Sequence, residues 1–287
     1  MLFPSRRQFF ASAAIPLAGC VGIPLIPKRD PSAVAEANNA FGCDLYGKLG
    51  AVAGNVFFSP FSTEAALSMT CAGAKGNTLT EMRKVLHQPT DSDKIHTGFQ
   101  SLFALLNGDS VWAGKRGYEL SVANAIWGMK GEPWRKEFLT LASKHYGAGL
   151  IEVDFGRPDS AAKTINSWVE KRTHERIKNL VSPANFTARA RLVLTNAIYF
   201  KGSWATAFKK ENTKVEPFHR LDSTKRDAPL MHRFDDFAYT ETDAYQAIEL
   251  PYKGKDLSML VWLPRRADAF ADFDENLTAA LIAETEK

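Results

Sequence analysis

The sequence predicts a mixed α+β fold, and three observations carry that prediction. Helical and strand-like periodicities fall in separate blocks rather than alternating as in βαβ units. A continuous apolar run, Arg191 to Phe200, reads as a strand buried on both faces. A third stretch, Thr63 to Ala72, is helical in pattern yet apolar or small almost all round, which demands burial on every side.

The elements follow in order. Ser32 caps a helix with Val34, Ala37, Phe41 and Leu45 on its inner face. Val56 to Phe58 is a short run with β preference. Ser59-Pro60 reads as N-cap followed by N1, because the serine oxygen takes a free amide and proline has none to leave unpaired. Gly73 to Gly76 breaks the buried helix. Thr78 and Glu81 match a capping box for the next helix, with Leu79, Met82, Val85 and Leu86 on one face. Lys94 to Asn107 is a helix carrying Phe99, Leu102, Phe103, Leu105 and Leu106. Tyr118 to Met129 reads as a strand, Arg135 to His145 as a helix and Ile151 to Phe155 as a short strand. Asp159 to Ile177 is strongly amphipathic: Ala161, Ile165, Trp168, Val169 and Ile177 face inward. Its Lys163, Glu170, Lys171, Arg172, Glu175 and Arg176 form a solvated face. Val215 to Arg220, Ala228 to Phe237 and Ala238 to Asp243 alternate like antiparallel strands. Tyr245 to Pro251 and Leu257 to Leu263 follow, joined through Tyr252 to Lys255. Thr278 to Lys287 reads as a helix cut short.

At 287 residues and 45% hydrophobic, the chain is long enough for a sizeable core in one large domain or two. Its formal net charge is +4, and +2 once Arg6 and Arg7 leave with a leader, which implies no nucleic-acid partner. No run of about eighteen apolar residues predicts a spanning helix. Residues 1–19 read as an export signal: Ser5-Arg6-Arg7-Gln8-Phe9-Phe10 resembles a twin-arginine motif and Ala11 to Gly19 is its apolar stretch. Leu17-Ala18-Gly19-Cys20 resembles a lipobox, whose cysteine is lipidated and becomes the first mature residue. The expectation is export across the inner membrane to a periplasmic or cell-surface site, with a lipid anchor at Cys20. Residues 20–31 read as a Pro-rich tether and 32–287 as the folded domain. Cys43 and Cys71 fall on two helices; a disulfide between them or two buried free thiols fits, and free thiols are the preferred reading.

Asn196 sits inside the apolar strand, so its amide needs partners, and the hydroxyls of Ser59 and Ser62 are the candidates. Catalytic and metal patterns are weak. There is no Gly-x-Ser-x-Gly elbow. His174-Glu175 lacks the second histidine of a zinc protease, since Lys178 stands there. Gly73 to Thr78 is not a phosphate loop, and no Cys-x-x-Cys or His-rich cluster occurs.

Three motifs resemble one family. The first is Asn55, Ser59-Pro60, Ser62, Ala66-Leu67 and Met69, closing in Gly73-Ala74, Gly76, Thr78 and Glu81-Met82. The second is Thr195-Asn-Ala-Ile-Tyr-Phe-Lys-Gly-Ser-Trp204 with Phe208, Thr213 and Phe218; the third is Pro229-Leu230-Met231. Together they are similar to the serpins, over Ser32 to Lys287. The resemblance implies multi-stranded mixed sheets with about eight helices. It places Ser59, Pro60, Ser62 and Asn196 at the shutter beneath the central sheet, and Lys201, Gly202 and Trp204 at the top, where a loop first enters. The helix at 159–177 would lie across the sheet and shift during loop insertion. The resemblance also implies suicide inhibition of serine or cysteine proteases by a monomer, with no cofactor, no metal and no catalytic residue. The serpin reactive loop, its flanking central strands, the closing strands and a histidine partner for Asn196 would lie beyond Lys287. No Glu-rich, Gly-Thr-Ala-Ala-like hinge occurs in these residues, so the reactive centre is expected to be absent from this chain. In some serpins the helix matching 94–107 is basic and binds sulfated polysaccharide; here it carries only Lys94, which supports no such partner. The alternatives are a non-inhibitory serpin-like binding lipoprotein and a non-functional truncated gene product.

Overall fold

The computed structural model describes residues 32–51, 54–107, 117–187, 189–222 and 224–285. The export signal, Cys20 and the tether lie outside the described residues. Eight α-helices and eight strands are assigned among those described. They are α1 (Ser32–Leu49), α2 (Pro60–Gly73), α3 (Gly76–Val85), α4 (Ser92–Asn107), β1 (Tyr118–Met129), α5 (Lys136–Tyr146), β2 (Leu150–Val153), α6 (Pro158–Arg172) and β3 (Leu192–Gly202). There follow β4 (Lys214–His219), β5 (Lys225–Leu230), β6 (Ala238–Glu241), β7 (Tyr245–Pro251), β8 (Ser258–Pro264), α7 (Phe270–Glu275) and α8 (Ala279–Thr285).

The main sheet has the order β2-β1-β3, with β2 parallel and β3 antiparallel to β1. Side chains on a strand alternate between faces, and β1 uses both. Val122 and Ile126 enter a core built with Val34, Ala65, Met69, Phe99, Phe103 and Tyr146 of α1, α2, α4 and α5. Ala125 and Trp127 face the other way, into a core closed by Ala161, Ile165 and Val169 of α6 and by Phe155 and Phe186. The remaining strands form two antiparallel sheets, β4-β5 and β6-β7-β8.

The helix start at Ser59-Pro60 forms as expected: Ser59 Oγ accepts from the Ser62 amide at 3.2 Å, and Pro60 opens α2. Several other expectations need correction. Val56 to Phe58 forms no strand; Phe57 is almost fully exposed and no described strand pairs with this run. The helix after Gly73 begins at Gly76 rather than at a Thr78 box, and Lys75 caps it without a side-chain bond. Val85 is exposed, while Leu79, Met82 and Leu86 pack beside Phe41 and Cys71. The amphipathic helix stops at Arg172, because Thr173 Oγ1 turns back onto the Val169 carbonyl and His174 and Glu175 adopt positive φ. Its connection to β3 is pinned by Asn166, which donates to the Val181 carbonyl at 2.8 Å and accepts from its amide at 3.0 Å. The strand expected over 228–237 ends at Leu230. β3 is only partly buried rather than covered on both faces.

The buried helix holds a carboxylate that its apolar pattern concealed. Glu64 is fully buried. It accepts from Asn38 Nδ2 at 2.9 Å and Gln88 Nε2 at 3.4 Å, and Gln88 also reaches Ser68 Oγ at 2.6 Å. Burial pushes its pKa up to about 7, against the pull of those two hydrogen bonds and of His87. Cys43 and Cys71 are free thiols.

Candidate functional site

The expected site residues gather at two places on β3. At mid-strand, Asn196 lies directly opposite Asn124 of β1 and donates from Nδ2 to Asn124 Oδ1 at 2.5 Å. The expected partners, Ser59 and Ser62, do not take this bond. Ser59 Oγ is occupied by the cap of α2, and Ser62 Oγ is buried with no partner among the described residues. Ser62 is nonetheless beneath the sheet, since α2 contributes Ala65, Ala66 and Met69 to the core that holds Leu194 and Ile198 of β3. Asn124 is the residue that sequence reasoning passed over. Its signal was present: a second lone amide, set in the apolar stretch Val122 to Trp127. The opposite face is fixed by Trp127 Nε1, which donates to Thr195 Oγ1 at 2.8 Å. That bond spans β1 and β3 beneath α6.

At the end of β3, Lys201 is exposed. Gly202 has no room for a side chain, because a Cβ there would stand 2.6 Å from the Tyr252 ring and 2.9 Å from that of Phe200. Trp204 stacks on Tyr252 with centroids 4.6 Å apart and makes a β-bridge to it. Phe208 meets Trp204 edge-on, and the Arg233 guanidinium sits over Phe208 and Phe237. An aromatic platform thus joins the main sheet to the β6-β7-β8 sheet. Among the described residues β3 pairs with β1 alone, so its other edge presents backbone donors and acceptors without a strand partner. Among the same residues no group of His, Cys, Asp and Glu is arranged to hold a metal, and no helix is long and apolar enough to cross a membrane.

A family model described as "Serpin (serine protease inhibitor)" matches residues 36–287. The chain belongs to the serpin family. It is 42% identical over 250 residues to an uncharacterized serpin-like protein of Thermococcus kodakarensis, covering 87% of this chain and 57% of that one. It is 38% identical over 272 residues to Serpin B3 of Homo sapiens, covering 88% and 68% respectively. Among solved structures, emu ovalbumin superposes with a TM-score of 0.80 at 29% identity, covering 88% of this chain and 68% of that one. A cleaved Serpin 42Da gives 0.80 at 35% identity, with coverage of 89% and 69%. The serpin thus spans between just over half and about two thirds of the length of these relatives.

Proposed function

We propose that this serpin carries the body of a serine-type endopeptidase inhibitor, one that traps its protease when a cleaved reactive loop enters the main sheet as a new strand. The observation that supports this reading most is the row of residues along β3, from the Asn196–Asn124 pair to Lys201, Gly202 and the Trp204 platform, in a chain of the serpin family. A strand entering beside β3 gains backbone hydrogen bonds to it. On this reading Ser59, Pro60, Ser62 and Asn196 act as the shutter. Lys201, Gly202 and Trp204 mark the entry point, and no residue is catalytic. The leukocyte elastase inhibitor of Sus scrofa is 40% identical over 236 residues, which favours serine proteases as partners, with cysteine proteases as a second class. No cofactor enters this mechanism. The same proposal holds the serpin as a monomer on the extracytoplasmic side of the membrane, through a lipid on Cys20.

The test is to take the native protein from its source and incubate it with elastase-, trypsin- and papain-type proteases. An SDS-resistant one-to-one complex with any of them is the expected result. Cleavage by all three with no trapped complex overturns inhibition. It would leave the second reading, a non-inhibitory serpin-like binding lipoprotein.

A further inference from the structure

Helices α2, α3, α4 and α5 meet around a cavity of about 220 Å³, lined among others by Cys71 of α2, Arg83 of α3, Asp93 and His96 of α4 and Leu141 of α5. It is smaller than the roughly 300–1,000 Å³ of sites that take drug-sized molecules, so an occupant must be small. The first turn of α4 sets its character: Ile95 and His96 are buried, while Asp93 stays exposed at the rim. Leu79 and Leu141, both half-buried, add apolar wall.

The polar groups of this cavity are incompletely paired. His96 is only 7% exposed. Its Nδ1 meets Tyr146 Oη at 2.7 Å, and its Nε2 has no partner among the described residues. Burial, with His145 beside it, lowers the pKa of the ring, which is therefore neutral at pH 7. A neutral imidazole whose Nδ1 accepts from a tyrosine hydroxyl carries its proton on Nε2. Buried donors are rarely left unpaired in a native protein. The charges are also unspent. Among the described residues the half-buried Arg83 guanidinium, the Lys75 ammonium and the Asp93 carboxylate have no ion-pair partner. The neighbouring Asp91, by contrast, is taken by Lys94 at 3.8 Å. Arg83 and Asp93 both stand close enough to His96 to shift it, in opposite senses, yet they do not pair with each other.

We propose that this cavity binds a free α-amino acid with an apolar side chain. The carboxylate of the amino acid accepts from Arg83 and from His96 Nε2, with Lys75 adding positive charge at the rim. The ammonium pairs with Asp93, and the side chain packs on Leu79, Ile95 and Leu141. A zwitterion satisfies both signs at once. A simple anion would meet the Asp93 carboxylate, and a simple cation would meet Arg83 and Lys75. The Cys71 thiol is only 4% exposed and serves as a small apolar surface, with no covalent step. This proposal is independent of protease inhibition.

L-Leucine is the probe. Leucinamide, which lacks the carboxylate, and N-acetyl-leucine, which lacks the ammonium, are the controls. Calorimetric titration of the full chain is expected to show saturable one-to-one binding of leucine, with each control at least tenfold weaker. Arg83→Gln and Asp93→Asn are each expected to cost at least tenfold in affinity, and Arg83→Lys to recover part of the first loss. Neither Arg83 nor Asp93 is fully buried or ion-paired to the body, so the ligand-free melting temperature is expected to stay unchanged in all three variants. Failure of leucine to bind, equal affinity for either control, or unchanged affinity in Arg83→Gln or in Asp93→Asn each overturns the proposal.

Discussion

Two tryptophans sit on strands and donate to threonines, yet their settings differ. Trp127 of β1 is fully buried between β3 and α6 and reaches Thr195 at 2.8 Å. Trp262 of β8 is half-buried and reaches Thr285 of α8 at 3.3 Å. The difference extends to whole regions. The β2-β1-β3 sheet has helices on both faces and supplies residues to two of the three buried clusters. The β4 to β8 region contributes only Ala247 and Tyr252 to the buried apolar set and leaves Val215, Phe218, Met259 and Leu263 exposed. β propensity is similar in both regions, so burial depends on what stands opposite each face.

That contrast can be broken or sharpened by measurement. Trp127→Ala is expected to cost about 3–5 kcal/mol, as deletion of a large buried aromatic does, whereas Trp262→Ala should cost well under half as much. Urea unfolding of the two variants decides it, and equal losses would erase the difference between the regions. Glu64 tests the covered side of the main sheet by pH. Its folded pKa of about 7 lies above the ordinary 4.5, so the folded state holds the proton more tightly. The resulting stabilisation is fully present below pH 4.5 and is lost as pH rises through 7, a swing of about 3 kcal/mol. Glu64→Gln should flatten that dependence and make the protein more stable at pH 8; a wild-type stability that rises between pH 5 and 7.5 would contradict it. Asn196→Ala removes the one bond to Asn124 Oδ1 and should cost about 1–3 kcal/mol, with Asn124→Ala adding little on top of it in a double-mutant cycle. Leu263→Ser, on the exposed face of β8, should change stability by no more than about 0.5 kcal/mol, while light scattering shows less self-association.

Sequence pattern carried the covered region well and the open one less well. β1 and β7 fall on the expected bounds because alternation between two defined faces leaves a clear signature. The core faces of α1 and α6, and Phe99 and Phe103 of α4, follow from helical periodicity for the same reason, whereas Leu105 of α4 is exposed. Val56 to Phe58 has β preference but no described strand to pair with, and propensity alone holds no strand together. At the candidate site, the position of Asn196 was legible and its partner was not. The choice between the hydroxyls of Ser59 and Ser62 and the amide of Asn124 depends on antiparallel register, which sets Asn124 directly opposite. Glu64 was hidden by its neighbours: one acid in an apolar helix resembles a surface position until Asn38 and Gln88 are seen folding over it.

The clamp that Asn166 places on Val181 has a consequence for resistance to proteolysis. The connection from α6 to β3 is rich in cleavable bonds, with Arg176, Lys178, Arg189 and Arg191 along it. A protease cuts such a segment only once it opens locally, and closing both backbone groups of Val181 onto one side chain holds the middle of it in place. The clamp thereby keeps this basic crossing closed to nicking by trypsin-like enzymes.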